Sequence, residues 1–326
     1  MSGVRHMKVT PEDAGLRLDR WFRRHVPEAG FGAVQKAMRK GAVRLDGRRV
    51  KGNERLETGQ DIRVPPFAGE AGLQKNKTAP CPALDDATVA EVRGWVIYKD
   101  DKVIALNKPP GLPTQGGTGQ KRHLDGLLDA LKYDAPERPR LVHRLDKDTS
   151  GVLLLGRTAN AAAALAKNFA SKDTDKRYWA LVTGVPKEPM GRIRLTMDKV
   201  AVRGAERMVV SPDGKPSLTD YAIMDRAGKR AAWLALKPHT GRTHQLRLHT
   251  AEIGHPIVGD GKYGGEDAYL GGVISKKLHL HAESIAFTHP DGGRLRIAAP
   301  MPPHIKASFE ALGFNPADHE DPFVDM

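Results

Sequence analysis

Leu141-Val142-His143-Arg144-Leu145-Asp146-Lys147-Asp148-Thr149-Ser150-Gly151-Val152-Leu153-Leu154-Leu155 is the run on which the fold turns. Two short apolar pieces flank a charged, hydroxyl-bearing turn, and the second piece leaves through Gly151. Continuous apolar runs of this length between turn signals read as buried strands. A turn between two such strands holds its side chains rigidly at a sheet edge, which suits a reactive carboxylate. The same charges, Arg144, Asp146, Lys147 and Asp148, would equally make an ion-paired loop, and at this point both readings stand. Outward from this run, further strands are expected at residues 95–98, 103–106 and 178–182, with helical patterns at 124–132 and 159–171. Residues 282–288 and 294–298 form a hairpin pattern across Asp291-Gly292-Gly293. Strands and helices alternate irregularly and hairpin signals are frequent. The expected class is therefore α+β, with a mixed, largely antiparallel sheet flanked by helices and loops, rather than a doubly wound sheet.

Upstream lies a different kind of sequence. Leu18, Trp21, Phe22 and Val26 recur at helical spacing, with Arg17, Arg20, Arg23 and Arg24 largely on the other face. Val34, Ala37 and Met38 mark a second short helix with Lys36, Arg39 and Lys40 outward, and Gly41 is placed to end it. Val43-Arg44-Leu45, Asp46-Gly47 and Arg48-Arg49-Val50 then read as a tight hairpin. Residues 1–66 are expected to be one small α/β module, 67–94 a linker, 95–312 the main domain and 313–326 a frayed acidic tail. Cys81 falls in the expected linker, between Pro80 and Pro82, and reads as incidental.

The chain has 326 residues and a formal net charge of +13. Residues 1–66 hold 15 Lys+Arg against 8 Asp+Glu, so a fifth of the chain carries over half the excess. A basic excess gathered at one end suggests a polyanion, and Arg17, Lys36, Arg39, Lys40, Arg48, Arg49 and Lys51 are the candidate phosphate contacts. Composition is that of a soluble globular protein, at 40% hydrophobic and 28% charged residues. No apolar run is long enough for a membrane-spanning helix, and the N-terminus has no signal-peptide core. One cysteine excludes an intrachain disulfide and a cysteine-cluster metal site. The expected location is the cytoplasm.

Two patterns are decoys. Gly259-Asp260-Gly261-Lys262-Tyr263-Gly264 satisfies G-x-G-x-x-G, yet no βαβ pattern surrounds it, so a turn-rich loop is expected. His239, His244 and His249 are spaced five apart and do not stack on one helical face, while His279 and His281 offer only two ligands. No metal and no cofactor are expected.

Residues 16–66, with Arg17-Leu18-Asp19 and Arg39-Lys40-Gly41-Ala42-Val43-Arg44-Leu45-Asp46-Gly47, resemble the S4-type RNA-binding domain. His143 and the Arg144–Gly151 run resemble the H-R-L-D-x-x-T-S-G signature of the RluA-type pseudouridine synthases. Asn107-Lys108-Pro109-Pro110-Gly111, Lys176–Gly184, His239–His249 and Leu280–Pro290 match that family's other blocks in order. Gln115 departs from the pattern, where relatives often carry His. With the S4-type segment in front, the resemblance points to the large-subunit ribosomal RNA branch, the RluC-like group. It implies an isomerase that turns uridine into pseudouridine. Asp146 would be nucleophile or charge stabiliser at C1′, Tyr178 the aromatic platform, and Arg242 the cation that keeps Asp146 ionised. Arg144 would fill the stack vacated by the flipped base, with His143 and Leu280 in the substrate pocket. The implied partner is large-subunit ribosomal RNA or an assembly intermediate, met by a monomer. The rival classes are a catalytically silent RNA-binding factor and a hydrolase with paired acids; no motif places a second acid.

Overall fold

The computed structural model describes residues 3–67, 84–116, 122–171, 173–202 and 205–324. Its contacts divide the chain into two compact units, residues 1–81 and 82–326, with Cys81 outside the described residues.

In the first unit β1 (Arg5–Lys8) is followed by α1 (Leu18–His25), α2 (Phe31–Arg39), β2 (Arg44–Leu45), β3 (Arg48–Arg49) and β4 (Asp61–Val64), and the sheet runs β1-β4-β2-β3. The expected helical stripe is the core: Leu18, Trp21, Phe22 and Val26 are buried with Val34, Met38, Ile62 and Val64. Asp46 and Gly47, at φ of 47° and 75°, make the mirror-image turn that fits the strand twist. Gly41, at φ of 71°, ends α2, and any Cβ there would meet the Arg49 guanidinium at 2.6 Å. That contact sets the hairpin against the basic end of α2.

The second unit opens with α3 (Asp86–Gly94), β5 (Val96–Lys99), β6 (Val103–Lys108), α4 (Leu124–Leu127), β7 (Arg140–Leu141), β8 (Ser150–Gly156) and α5 (Ala159–Ser171). It continues through β9 (Asp175–Thr183), β10 (Met190–Val202), β11 (Ala205–Val210), β12 (Lys215–Ala227), β13 (Ala231–Pro238), α6 (Gln245–Glu252), β14 (Leu280–Thr288), β15 (Arg294–Ala298) and α7 (Pro303–Leu312). The sheet runs β11-β10-β12-β13-β9-β14-β8-β6-β5, with β15 on β14 and β7 on β8. Every pair is antiparallel except β14 with β8, which matches the expected class.

Three expectations need correction. Residues 86–94 are not linker but helix, capped by the Asp85 carboxylate accepting from Thr88 N at 2.6 Å; residues 68–83 of that expected linker lie outside the described residues. The strand expected at 141–145 stops at Leu141, because the Leu145 amide and carbonyl are taken by the Thr114 hydroxyl rather than by a neighbouring strand. Of the tail expected to fray, Phe314 and Phe323 are buried, and Asp321 accepts twice from Arg177 at 2.9 Å. Apolar contact and a charge-assisted pair together hold that segment down.

Candidate active site

Asp146 stands on the turn between β7 and β8, and that turn is fixed from below. Thr114 Oγ1 donates to Leu145 O at 2.7 Å and accepts from Leu145 N at 3.2 Å. Lys108, fully buried, donates to the carbonyls of Pro109, Leu112 and Lys147 at 2.8, 2.9 and 3.1 Å. Burial pushes its pKa down to about 7, opposed by the charges of Asp148 and Asp146. Three carbonyls match the three N–H groups of an ammonium, so the geometry favours the charged form. The segment before the turn is thus a brace for it. Gly151, at φ of 110°, is required where β8 starts, since a Cβ there would lie 2.1 Å from the Ala282 carbonyl of parallel β14.

Among the described residues no ion pair forms within Arg144, Asp146, Lys147 and Asp148, so the ion-paired loop reading fails. Asp146 and Arg144 instead line a cavity of about 110 Å³, with Tyr178 and Lys176 from β9, Leu280 from β14, and residues 240–247. The cavity opens into a groove of about 720 Å³ that shares Arg144, Lys176, Tyr178 and Arg242 and adds Lys237 and Arg294. Its charged lining is five cations against the carboxylates of Asp173 and Asp175, an excess that suits a polyanion. Lys176 and Tyr178, two apart on one strand, face it together. Burial, and then the charge of Asp146, raises the Tyr178 pKa, so this group is a phenol at neutral pH. Burial lowers that of Lys176.

The third wall is the segment before α6. Gln245 is buried and fully used: its carbonyl accepts from Thr240 Oγ1 and Arg242 N, and its amide donates to Leu218 O and Thr219 Oγ1. This pins the segment to β12. His244 takes the left-handed conformation, at φ of 53°, and its Nε2 lies 3.9 Å from Asp146 Oδ2. Its Nδ1 meets the Tyr263 hydroxyl at 2.8 Å.

Here the expected role of Arg242 is corrected. Arg242 is exposed, and among the described residues its side chain donates a single long bond, 3.4 Å to Pro216 O. The guanidinium within the field of Asp146 is that of Arg247, buried and paired bidentately with Asp260 at 2.7 Å and 2.7 Å. Burial lowers its pKa, but pairing with Asp260 and the charges of Asp260 and Asp146 more than offset this and raise it. Asp260 is the residue inside the G-x-G-x-x-G decoy, which is indeed a loop of turns. His143 lines the groove beside Arg144, and its ring has a bracing task as well. Its Nε2 accepts from Leu154 N at 2.8 Å, and its ring stacks on Phe169 at 4.4 Å. Burial holds its pKa at about 3, so it braces β8 with its acceptor already used. Arg144 is exposed, without an ion pair among the described residues, and Leu280 lines the cavity.

In the first unit Lys36, Arg39, Lys40, Arg48, Arg49 and Lys51 are exposed. Arg17 differs, because it pairs with Asp19 at 2.8 Å. Among the described residues no three His, Cys, Asp or Glu side chains gather as a metal site, and no helix is long and apolar enough to cross a membrane. The histidines singled out by spacing are used otherwise: His239 on Asp220, His249 on Ser217, His279 on Ser308 and His281 on Ser150.

Among the described residues the cavity holds a single aspartate on a braced turn with a phenol and a buried guanidinium, an arrangement that offers one reacting carboxylate rather than the paired acids of a hydrolase. The RNA pseudouridylate synthase family model matches residues 102–252. The chain is 36% identical over 314 residues to the ribosomal large subunit pseudouridine synthase C of Vibrio cholerae, covering 95% of this chain and 97% of that one. It is 35% identical over 317 residues to the Escherichia coli K12 protein of the same name, with the same shares covered. Human RNA pseudouridylate synthase domain containing 1 superposes with a TM-score of 0.54 at 27% identity, over 69% of this chain and 96% of that one. The chain belongs to the RNA pseudouridylate synthase family.

Proposed function

We propose that the protein isomerises uridine to pseudouridine in large-subunit ribosomal RNA, with Asp146 as the reacting carboxylate. The observation that supports this most is the placement of Asp146. It sits on a turn held by Thr114 and Lys108, within the field of Arg247, and among the described residues no second carboxylate lines the cavity. In the reaction the N1–C1′ bond breaks, the base turns, C5 bonds to C1′, the C5 proton leaves and N1 takes up a proton. Asp146 stabilises positive charge at C1′ or bonds to it, as carboxylates do in glycoside chemistry. Arg247 sets a positive charge in the field of that carboxylate, and Asp260 keeps Arg247 in place. Tyr178 offers its ring to the uracil; as a phenol with a raised pKa it is a platform and hydrogen-bond partner rather than a base. The target base must leave its stack, at a cost of a few kcal/mol, and Arg144, exposed at the mouth, fills the gap. Arg242, Lys176 and Lys237 line the groove that takes the backbone of the RNA.

The first unit is read as an S4-type RNA-binding domain whose phosphate contacts are Lys36, Arg39, Lys40, Arg48, Arg49 and Lys51. The protein works as a cytoplasmic monomer on ribosomal RNA or an assembly intermediate, with no cofactor. Asp146→Asn tests the reading, because amide and carboxylate have nearly equal volume. Pseudouridine formation falls below detection in single-turnover tritium release from C5-labelled RNA, while RNA affinity stays within about threefold. Retained turnover refutes the assignment of Asp146.

A further inference from the structure

His244 has no task in the reaction as described, yet its ring is held in one orientation in the cavity. Tyr263 sets it. The Tyr263 oxygen accepts from Met208 N at 3.3 Å, burial raises the pKa of this phenol, and among the described residues His244 Nδ1, 2.8 Å away, is the acceptor within reach of its one proton. Arg207 and Arg247 both lie 5.2 Å from the Tyr263 ring centroid and hold it in place. Burial lowers the pKa of His244; the carboxylates of Asp146 and Asp260 oppose this, and the cations Arg247 and Lys262 add to it. A neutral imidazole that accepts at Nδ1 carries its proton on Nε2. That N–H faces Asp146 Oδ2 across 3.9 Å, too long for a direct hydrogen bond.

Both residues line the cavity, and a hydroxyl oxygen about 2.8 Å from each would sit about 2 Å to one side of the line that joins them. A hydroxyl can accept from Nε2–H and donate to the carboxylate at once. We infer that this gap receives the 2′-hydroxyl of the target nucleotide, and that His244 is the residue by which the enzyme distinguishes ribose from deoxyribose at the modified position. The inference rests on the reading of Asp146 above. With Asp146 at C1′, the oxygen on the adjacent carbon C2′ falls beside the same carboxylate. A deoxyribose offers only C–H there and leaves both polar groups without a partner, the condition under which a site rejects an analogue most strongly.

The test is a two-by-two comparison. The full-length chain and its variants act under single turnover on a synthetic large-subunit RNA hairpin that the wild type modifies. The hairpin carries uridine or 2′-deoxyuridine at the target alone. In the wild type the deoxy target reacts about ten- to a hundredfold more slowly, the size of one hydrogen bond to a charged group. His244→Asn suits the left-handed backbone but reaches only the Nδ1 position, so its ribose rate falls while its deoxyribose rate does not, and the ratio approaches one. His244→Gln places an amide N–H near the Nε2 position and restores most of the ratio. Equal ribose and deoxyribose rates in the wild type, or a ratio unchanged in His244→Asn, overturn the inference, as does an equal slowing of both substrates. If the wild type turns over no uridine hairpin from the large subunit, the substrate reading itself falls, and this inference with it.

Discussion

Acidification from about pH 8 to about pH 5.5 should destabilise residues 82–326 through three buried imidazoles. His249, His279 and His281 are fully buried, and burial holds the pKa of each at about 4. His304 adds to the depression at His279 and His281 by its own charge, and backbone carbonyls oppose it there. The hydrogen bonds fit neutral rings. His281 Nε2 donates to Ala299 O at 3.0 Å while Nδ1 accepts from the Ser150 hydroxyl at 2.9 Å. His249 Nε2 meets the Ser217 hydroxyl at 2.7 Å, and Nδ1 has no partner among the described residues, so a second proton there would be buried and unpaired. An unfolded histidine titrates near 6.5, so between pH 6.5 and 4 the unfolded chain binds more protons than the folded one. Stability from these groups is therefore complete above about pH 6.5 and drains as pH falls toward 4. At pH 5.5 the difference is about 1.4 kcal/mol per ring and about 4 kcal/mol for the three, a large fraction of a domain's total. Asp220, held near 2 by Arg192 and His239, titrates too low to contribute in this window. Urea unfolding of the full chain at the two pH values, with amide exchange reporting the second unit, measures the loss. A loss below about 1 kcal/mol, or NMR titration showing these rings protonated by pH 6, refutes the argument.

Arg247→Met should lower both stability and turnover. It leaves the Asp260 carboxylate buried without its partner, at a cost of about 3–5 kcal/mol, whereas Arg242→Ala should change stability by under about 0.5 kcal/mol and act mainly on RNA binding. Thermal unfolding and a split of kcat from KM separate the two arginines. Neutralising Arg39, Lys40, Arg48 and Arg49 together should reduce the log–log salt slope of binding to large-subunit RNA by roughly 2, if about half of these exposed cations meet phosphate. The single-turnover rate at saturating RNA should not change, and a collapsed rate with an unchanged slope would make the first unit a structural brace.

The parts of the site that were legible are those that sequence order alone encodes. The buried runs around Asp146, the Asp46-Gly47 turn and the apolar stripe of α1 depend on neighbours a few residues away, so period and turn chemistry reveal them. The helix at Asp86–Gly94 was hidden by its weak amphipathic pattern beside a Pro- and Gly-rich stretch, although Asp85 three residues ahead of Thr88 was a readable cap. The β10–β11 hairpin carries a readable signal, since Arg192-Ile193-Arg194-Leu195-Thr196-Met197 alternates polar with apolar, whereas the buried polar residues Ser217, Thr219 and Asp220 mask the pattern of β12. The arginine is the instructive failure. Arg242 and Arg247 stand in one motif, five residues apart, and nothing local says which one faces the carboxylate. The first precedes the helix and stays in solvent, while the second is turned inward by α6. What selects it is Asp260, thirteen residues on, in a glycine-rich run that reads as a loop and nothing more. A buried guanidinium is tolerated only with its countercharge, so the choice between the two arginines was settled by a carboxylate whose own role is visible only once the chain is folded.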